Sequence, residues 1–214
     1  DTFVRLFKEV PSVALNESAY AWAGQYLFDH EKWSDAALAM RALLEHVKDY
    51  PDRSRVRLMI ADCVERAGDL DGALKQYEAI AAEETGQPAV AEARFRIAGS
   101  HEQKNDPERA AALYEEVALA ASNGELGARA QFRLGELRAG QEKFVEAARH
   151  YMRVAILYLH PELSPEALWR AGQCFEQSGD RSQAVKTYEE VVRDHPDTAQ
   201  AAKAKERISA LSAA

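Results

Sequence analysis

The chain has 214 residues, 47% of them apolar, and its 35 Asp and Glu outnumber 27 Lys and Arg to give a formal net charge of −8. There is enough apolar material for a continuous core, and no apolar run is long enough to span a bilayer. The acidic balance, without a basic stripe to offset it, argues against nucleic acid, whose phosphates need a positive surface.

Residues of restricted type recur along the chain at a step of 37. Counted from its start, Phe3, Leu6 and Phe7 lie one step before Met40, Leu43 and Leu44, and Pro11 closes the run. Residues 1–13 are therefore expected to be the second helix of a truncated repeat. With no initiator methionine, the sequence reads as a piece of a longer protein. Five full copies follow, at 14–50, 51–87, 88–124, 125–161 and 162–196.

Each copy has a small residue in one slot, Gly24, Ala61, Ala98, Gly135 and Gly172. Twelve places later stands Ala36, Ala73, Ala110, Ala147 or Ala184, then Met40, Tyr77, Tyr114, Tyr151 or Tyr188, then Leu43, Ile80, Val117, Val154 or Val191. The apolar slots fall at i, i+3, i+4 and i+7 in two runs per copy, the signature of a helical hairpin. Short breakers divide the runs: Glu31-Lys32, Gly68-Asp69, Asn105-Asp106-Pro107, Gly140-Gln141-Glu142 and Gly179-Asp180. Second helices are expected to end near Tyr50-Pro51, Pro88, Pro161 and His195-Pro196, because proline cannot continue a helix without losing a hydrogen bond. Residues 197–214 read as a polar capping helix rich in Lys203, Lys205, Glu206 and Arg207. The fold expected is all-α, a right-handed α-solenoid of antiparallel helix pairs forming one domain over 1–214.

The fifth copy, with Leu168-Trp169-Arg170-Ala171-Gly172, Gly179-Asp180, Ala184, Tyr188 and Pro196, resembles the tetratricopeptide repeat family. The family's usual period is 34, so about three residues per copy are extra. Its usual aromatic four places before the small slot is replaced by Arg57, Arg94 and Gln131, while Phe95, Phe132 and Trp169 stand one place later.

The resemblance implies a non-catalytic scaffold that takes a peptide or helix of a partner protein in a concave groove lined by the first helices. Carried over slot by slot, the groove would present Gln25, Asp62, Gly99, Glu136 and Gln173, and Ser18, Arg55, Glu92, Arg129 and Glu166. Phe95, Phe132 and Trp169 either anchor a partner there or pack between helices in place of the missing aromatic. A second candidate surface is Ile156-Leu157-Tyr158-Leu159, within a run apolar on more than one face, which either mediates contact or self-association or buries against the next repeat. Trp22 and Trp33 are expected to be packing residues.

No chemistry is apparent. The six histidines make no His-Glu-x-x-His pair, the cysteines make no Cys-x-x-Cys, and no glycine-rich loop links a strand to a helix, so no metal, cofactor or catalytic residues are expected. Cys63 and Cys174 share one slot three repeats apart and are expected to be buried and unpaired. The endings Tyr50-Pro51-Asp52 and His195-Pro196-Asp197-Thr198-Ala199 are similar to those of bacterial envelope-assembly and periplasmic coordination proteins with these repeats. That similarity favours the cell envelope; the alternative is a recognition or regulatory domain of a larger enzyme or signalling protein.

Overall fold

A computed structural model describes residues 16–83, 88–122 and 124–213, and among them the chain is helical with no strand. The expected helix over 1–13 lies outside the described residues. Two compact units form, one ending at Ser100 and the other beginning at His101.

The first unit holds α1 (Glu17–Asp29), α2 (Trp33–His46), α3 (Arg53–Arg66), α4 (Leu70–Ala81) and most of α5 (Pro88–Gln103). Asn16 starts α1 by accepting the Ala19 N–H at 2.8 Å, a side-chain cap for one of the unpaired amides of the first turn. Tyr20, Leu27, Met40, Leu43, Val56, Ile60 and Cys63 form a single buried cluster joining α1, α2 and α3. Pro88 does not end a second helix as expected: α4 stops at Ala81, and Pro88 is the first residue of α5. A helix tolerates proline there because the first amides have no partner within the helix.

The second unit continues with the end of α5, then α6 (Pro107–Ala120), α7 (Glu125–Gly140), α8 (Phe144–Arg153), α9 (Leu163–Gln177), α10 (Arg181–Asp194) and α11 (Ala199–Ala213). Consecutive helices from α6 to α11 pack against each other, and first helices also touch, α7 with α9 and α9 with α11. The small slot explains the close approach. A Cβ on Gly135 would lie 2.6 Å from Tyr151 Cε1, and one on Gly172 would be closer still to the Tyr188 ring.

All five hairpin turns place one residue in the left-handed region on the 37-residue step: Glu31, Gly68, Asn105, Glu142 and Gly179. The following amide reaches back five residues, as Asp69 N–H to Val64 O at 3.1 Å and Asp180 N–H to Phe175 O at 2.9 Å, closing the helix end. Asp69, Asp106 and Asp180 then cap the next helix through their carboxylates; Lys32 and Lys143 in the same slot make no such bond.

One second helix is irregular. After Arg153 the chain widens into a π-helical turn, Val154–Tyr158, and Leu159 takes φ 47°.

Candidate protein-binding surface

The ladder of Phe95, Phe132 and Trp169 is half-buried. In the second unit Phe132 meets Tyr151 edge-on at 5.3 Å between ring centroids, and Trp169 leans on Tyr188 at 5.1 Å. The Arg170 guanidinium lies 5.3 Å from the Phe132 centroid. Phe132 and Trp169 thus each pack on the tyrosine of their own hairpin and keep part of their surface open.

The slot one place earlier stays in the core in three of the five copies, while Arg57 and Arg94 are half-buried. Tyr20 and Leu168 fill it in the first and fifth copies, and Gln131 is still 8% exposed in the fourth. Gln131 and Arg57 are matched from within the same hairpin. The His150 ring Nδ1 lies 2.9 Å from Gln131 Oε1, and Arg57 pairs with Glu83. Burial, with help from Arg153 and Arg138, pulls the His150 pKa down to about 4 and keeps the imidazole neutral.

Two expected groove residues are already engaged between repeats. In the first unit Asp62 accepts the Tyr77 hydroxyl at 2.5 Å and the Arg96 guanidinium at 3.3 Å. In the second, Glu136 accepts from Arg133 at 2.7 Å and Arg170 at 3.3 Å. Glu102 accepts from Tyr114 at 2.7 Å and Arg133 at 2.6 Å, and Glu176 from Tyr188 at 2.6 Å and from Arg207. Burial, and then the hydrogen bonds to these carboxylates, raise the tyrosine hydroxyl pKa values well above normal. The carboxyl of Glu176 is held below the usual range: burial works against this, but the Arg207 and Tyr188 bonds outweigh it.

Sequence analysis missed the arginines of this system, although they keep the 37-residue step at Arg96, Arg133, Arg170 and Arg207. Their acceptors do not keep to one column. The next hairpin's arginine finds Asp62 or Glu136 one place after the small slot, or Glu102 or Glu176 four places after it. Where one column offers Gly99 or Gln173 the other supplies Glu102 or Glu176, and where the second offers Ala139 the first supplies Glu136.

The remaining expected groove residues are more accessible. Gln25, Arg55 and Gln173 are exposed, and Arg129 is half-buried. Ser18 is exposed. Glu92 pairs with Arg96 at 3.2 Å, and Glu166 with Arg170 at 2.7 Å and Gln200 at 2.9 Å.

At the second candidate surface the four residues separate. Ile156, Leu157 and Leu159 are exposed, Leu159 at 75%. Tyr158 instead turns inward. Its hydroxyl donates to Ala118 O at 3.4 Å, and its ring lies where a Cβ on Gly127 would sit, 2.8 Å from Cε1. Trp33 packs as expected, edge-on to Phe28 at 5.1 Å and 4.9 Å from the Arg66 guanidinium. Trp22 is 54% exposed and stacks on Tyr26 at 5.1 Å between ring centroids.

Both cysteines are buried and free, and burial pushes each thiol up to about 11. Among the described residues no group of three or more His, Cys, Asp or Glu is arranged to hold a metal ion, and no helix is long and apolar enough to cross a membrane.

These hairpins, with Gly24, Gly135 and Gly172 on first helices under Met40, Tyr151 and Tyr188 of the second, define a helical-repeat protein of the interaction-scaffold type. The tetratricopeptide repeat profile matches residues 23–87, 66–125 and 100–167, and a second profile of the same description matches 166–198. The chain belongs to the tetratricopeptide repeat family. No curated protein matches it in sequence. Solved structures share the fold: MamA (TM-score 0.64, 16% identity, 86% of this chain and 94% of that one), and BtubC from P. vanneervenii (0.66, 17%, 81% and 77%). YrrB, described as a TPR protein with an unusual peptide-binding site, is similar at TM-score 0.59 and 16% identity, over 96% of this chain and 98% of its own.

Proposed function

We propose that this protein is a non-catalytic scaffold whose first helices bind an apolar-anchored peptide or helix of a partner protein. The observation that carries the reading is the half-buried aromatic pair Phe132 and Trp169, seated on Tyr151 and Tyr188 with polar Arg129 and Gln173 on the same helices. Aromatic side chains held rigid from below but open above are suited to anchor a partner, because little conformational entropy remains to be lost. Charge plays the lesser part, since Glu102, Glu136, Glu166 and Glu176 are already matched by arginines. Binding is accordingly expected to depend weakly on salt. The exposed Ile156, Leu157 and Leu159 form a second apolar contact.

Selection of peptides from a displayed library on the intact chain tests the reading. Selected peptides should share an apolar or aromatic anchor, and Trp169→Ala should weaken them by about tenfold or more. Failure to select any peptide, or equal binding by Trp169→Ala, refutes it. A role in bacterial envelope assembly rests on the Tyr50-Pro51-Asp52 and His195-Pro196-Asp197 endings. Fractionation of cells expressing the native gene should then recover the protein with the periplasm or envelope; recovery with the cytosol counts against it.

A further inference from the structure

Near the end of a second helix two exposed slots are ordinarily polar. They hold Glu45 and His46 on α2, and Arg193 and Asp194 on α10, the latter two paired with each other at 2.7 Å. On α8 and its π-helical extension the same slots are Ile156 and Leu157, each 61% exposed, and on α6 the first of them is Leu119, 80% exposed. Tyr158 ties the two helices together here, its hydroxyl donating to Ala118 O at 3.4 Å. Leu159 completes an apolar ridge, exposed and in the left-handed region at φ 47°. Exposure and a left-handed backbone both disfavour leucine, and strain of this kind gathers at binding sites and switches.

Charge indicates what covers the ridge. Arg153 and Arg149, about one and two turns before Ile156-Leu157, are exposed and have no carboxylate partner among the described residues. By contrast Arg133, Arg138, Arg170 and Arg207 each hold a carboxylate. Nearby acids are engaged: Glu146 lies 3.6 Å from Arg138, and Glu116, the α6 residue in the slot of Arg153, already has a partner. A chain of net charge −8 thus carries a basic, apolar strip, and within a Debye length of about 8 Å local charge governs a contact.

We infer that this strip docks an amphipathic helix of a partner protein, with carboxylates at one end of its contact face for Arg149 and Arg153 and apolar residues at the other for Leu119, Ile156, Leu157 and Leu159. The arginines and Ile156-Leu157 recur at about one helical turn, the pitch at which a helix laid along α8 presents its own side chains. This contact is the second surface of the scaffold reading and rests on it, but it uses second helices and none of the groove residues.

Selection of displayed helical peptides on the wild-type chain, with counter-selection against Leu157→Glu, tests it. Surviving peptides should carry Asp or Glu at one end of a helical face and Leu, Ile or Phe at the other. By fluorescence anisotropy, Leu157→Glu should weaken them more than tenfold and Arg149→Glu or Arg153→Glu about tenfold, with unchanged circular dichroism. Trp169→Ala should leave them unaffected, and rising salt should weaken them. A peptide whose acids are changed to Lys should bind Arg153→Glu better than wild type. No survivors, or survivors that are uncharged or basic, overturn the inference. Survivors weakened by Trp169→Ala and not by the arginine changes bind the groove, and finding only those overturns it while leaving the groove reading intact. Phosphatidylglycerol vesicles that bind the wild type and not Leu157→Glu would assign the ridge to a lipid surface instead, and a concentration-dependent mass that Leu157→Glu abolishes would assign it to a second copy.

Discussion

Replacing Phe132 by alanine measures how the aromatic ladder divides its surface between packing and binding. The ring is half-buried in the cluster of α7, α8 and α9, beside Ala128, Ala147, Tyr151 and Ala171. Removing a fully buried phenylalanine costs about 3–5 kcal/mol, so half burial gives about 1.5–2.5 kcal/mol. Loss of the edge-on contact with Tyr151 adds about 0.5–1 kcal/mol. A total of about 2–3.5 kcal/mol should lower the melting temperature of this part of the chain by roughly 5–10 °C. Thermal and urea unfolding followed by circular dichroism read the loss. Phe132→Leu, which keeps much of the volume, should recover most of the stability but not the affinity for a selected peptide. Unchanged stability with abolished binding would mean that Phe132 makes no structural contribution and that the packing described above is wrong.

His150 gives a pH-dependent test. Its pKa is lowered from 6.5 to about 4 by burial, so the unfolded state binds the proton more readily between these values. Stability is unaffected above the unfolded pKa and falls as the pH drops through that window. The ring is only partly buried, so the shift is discounted for solvent screening to about 1 kcal/mol at pH 5, a loss that His150→Asn should lack in parallel urea titrations. Arg133→Met leaves Glu102 with only the Tyr114 hydroxyl and should cost about 1–2 kcal/mol. A double-mutant cycle with Glu102→Gln should show positive coupling; additive losses would mean that the pair does not hold α5 to α7. At Glu142, φ is 58°, so Glu142→Gly should raise stability by about 0.5–1 kcal/mol, whereas Gly179→Ala should lower it. Cys63 and Cys174, buried with thiols raised to about 11, should resist a disulfide exchange reagent at pH 8 in the folded protein and react once urea unfolds it.

The hairpins, their turns and the small slots were legible in the sequence because each rests on contacts a few residues apart, repeated at a fixed step. Gly135 followed sixteen places later by Tyr151 is a local pattern, and one hairpin suffices to explain it. The arginine column was equally periodic. Its meaning was hidden because its acceptors alternate between two columns of the preceding hairpin, and only packed first helices bring both within reach of one guanidinium. The polar residue in the usual aromatic slot is another case: Gln131 is buried because His150, nineteen residues away, supplies its partner. The π-helical turn at Val154–Tyr158 had no advance signal beyond an apolar run, and folding separated that run into inward Tyr158 and outward Ile156, Leu157 and Leu159.

Sequence alone therefore determined the repeat, the helix type and the family, since periodic burial leaves its period in the residues that pay no desolvation cost. Tertiary structure decided which carboxylates remain available to a partner and which side of each aromatic faces solvent. Both depend on the distance between helices of successive repeats, about 37 residues apart in the chain and within hydrogen-bond reach in the fold.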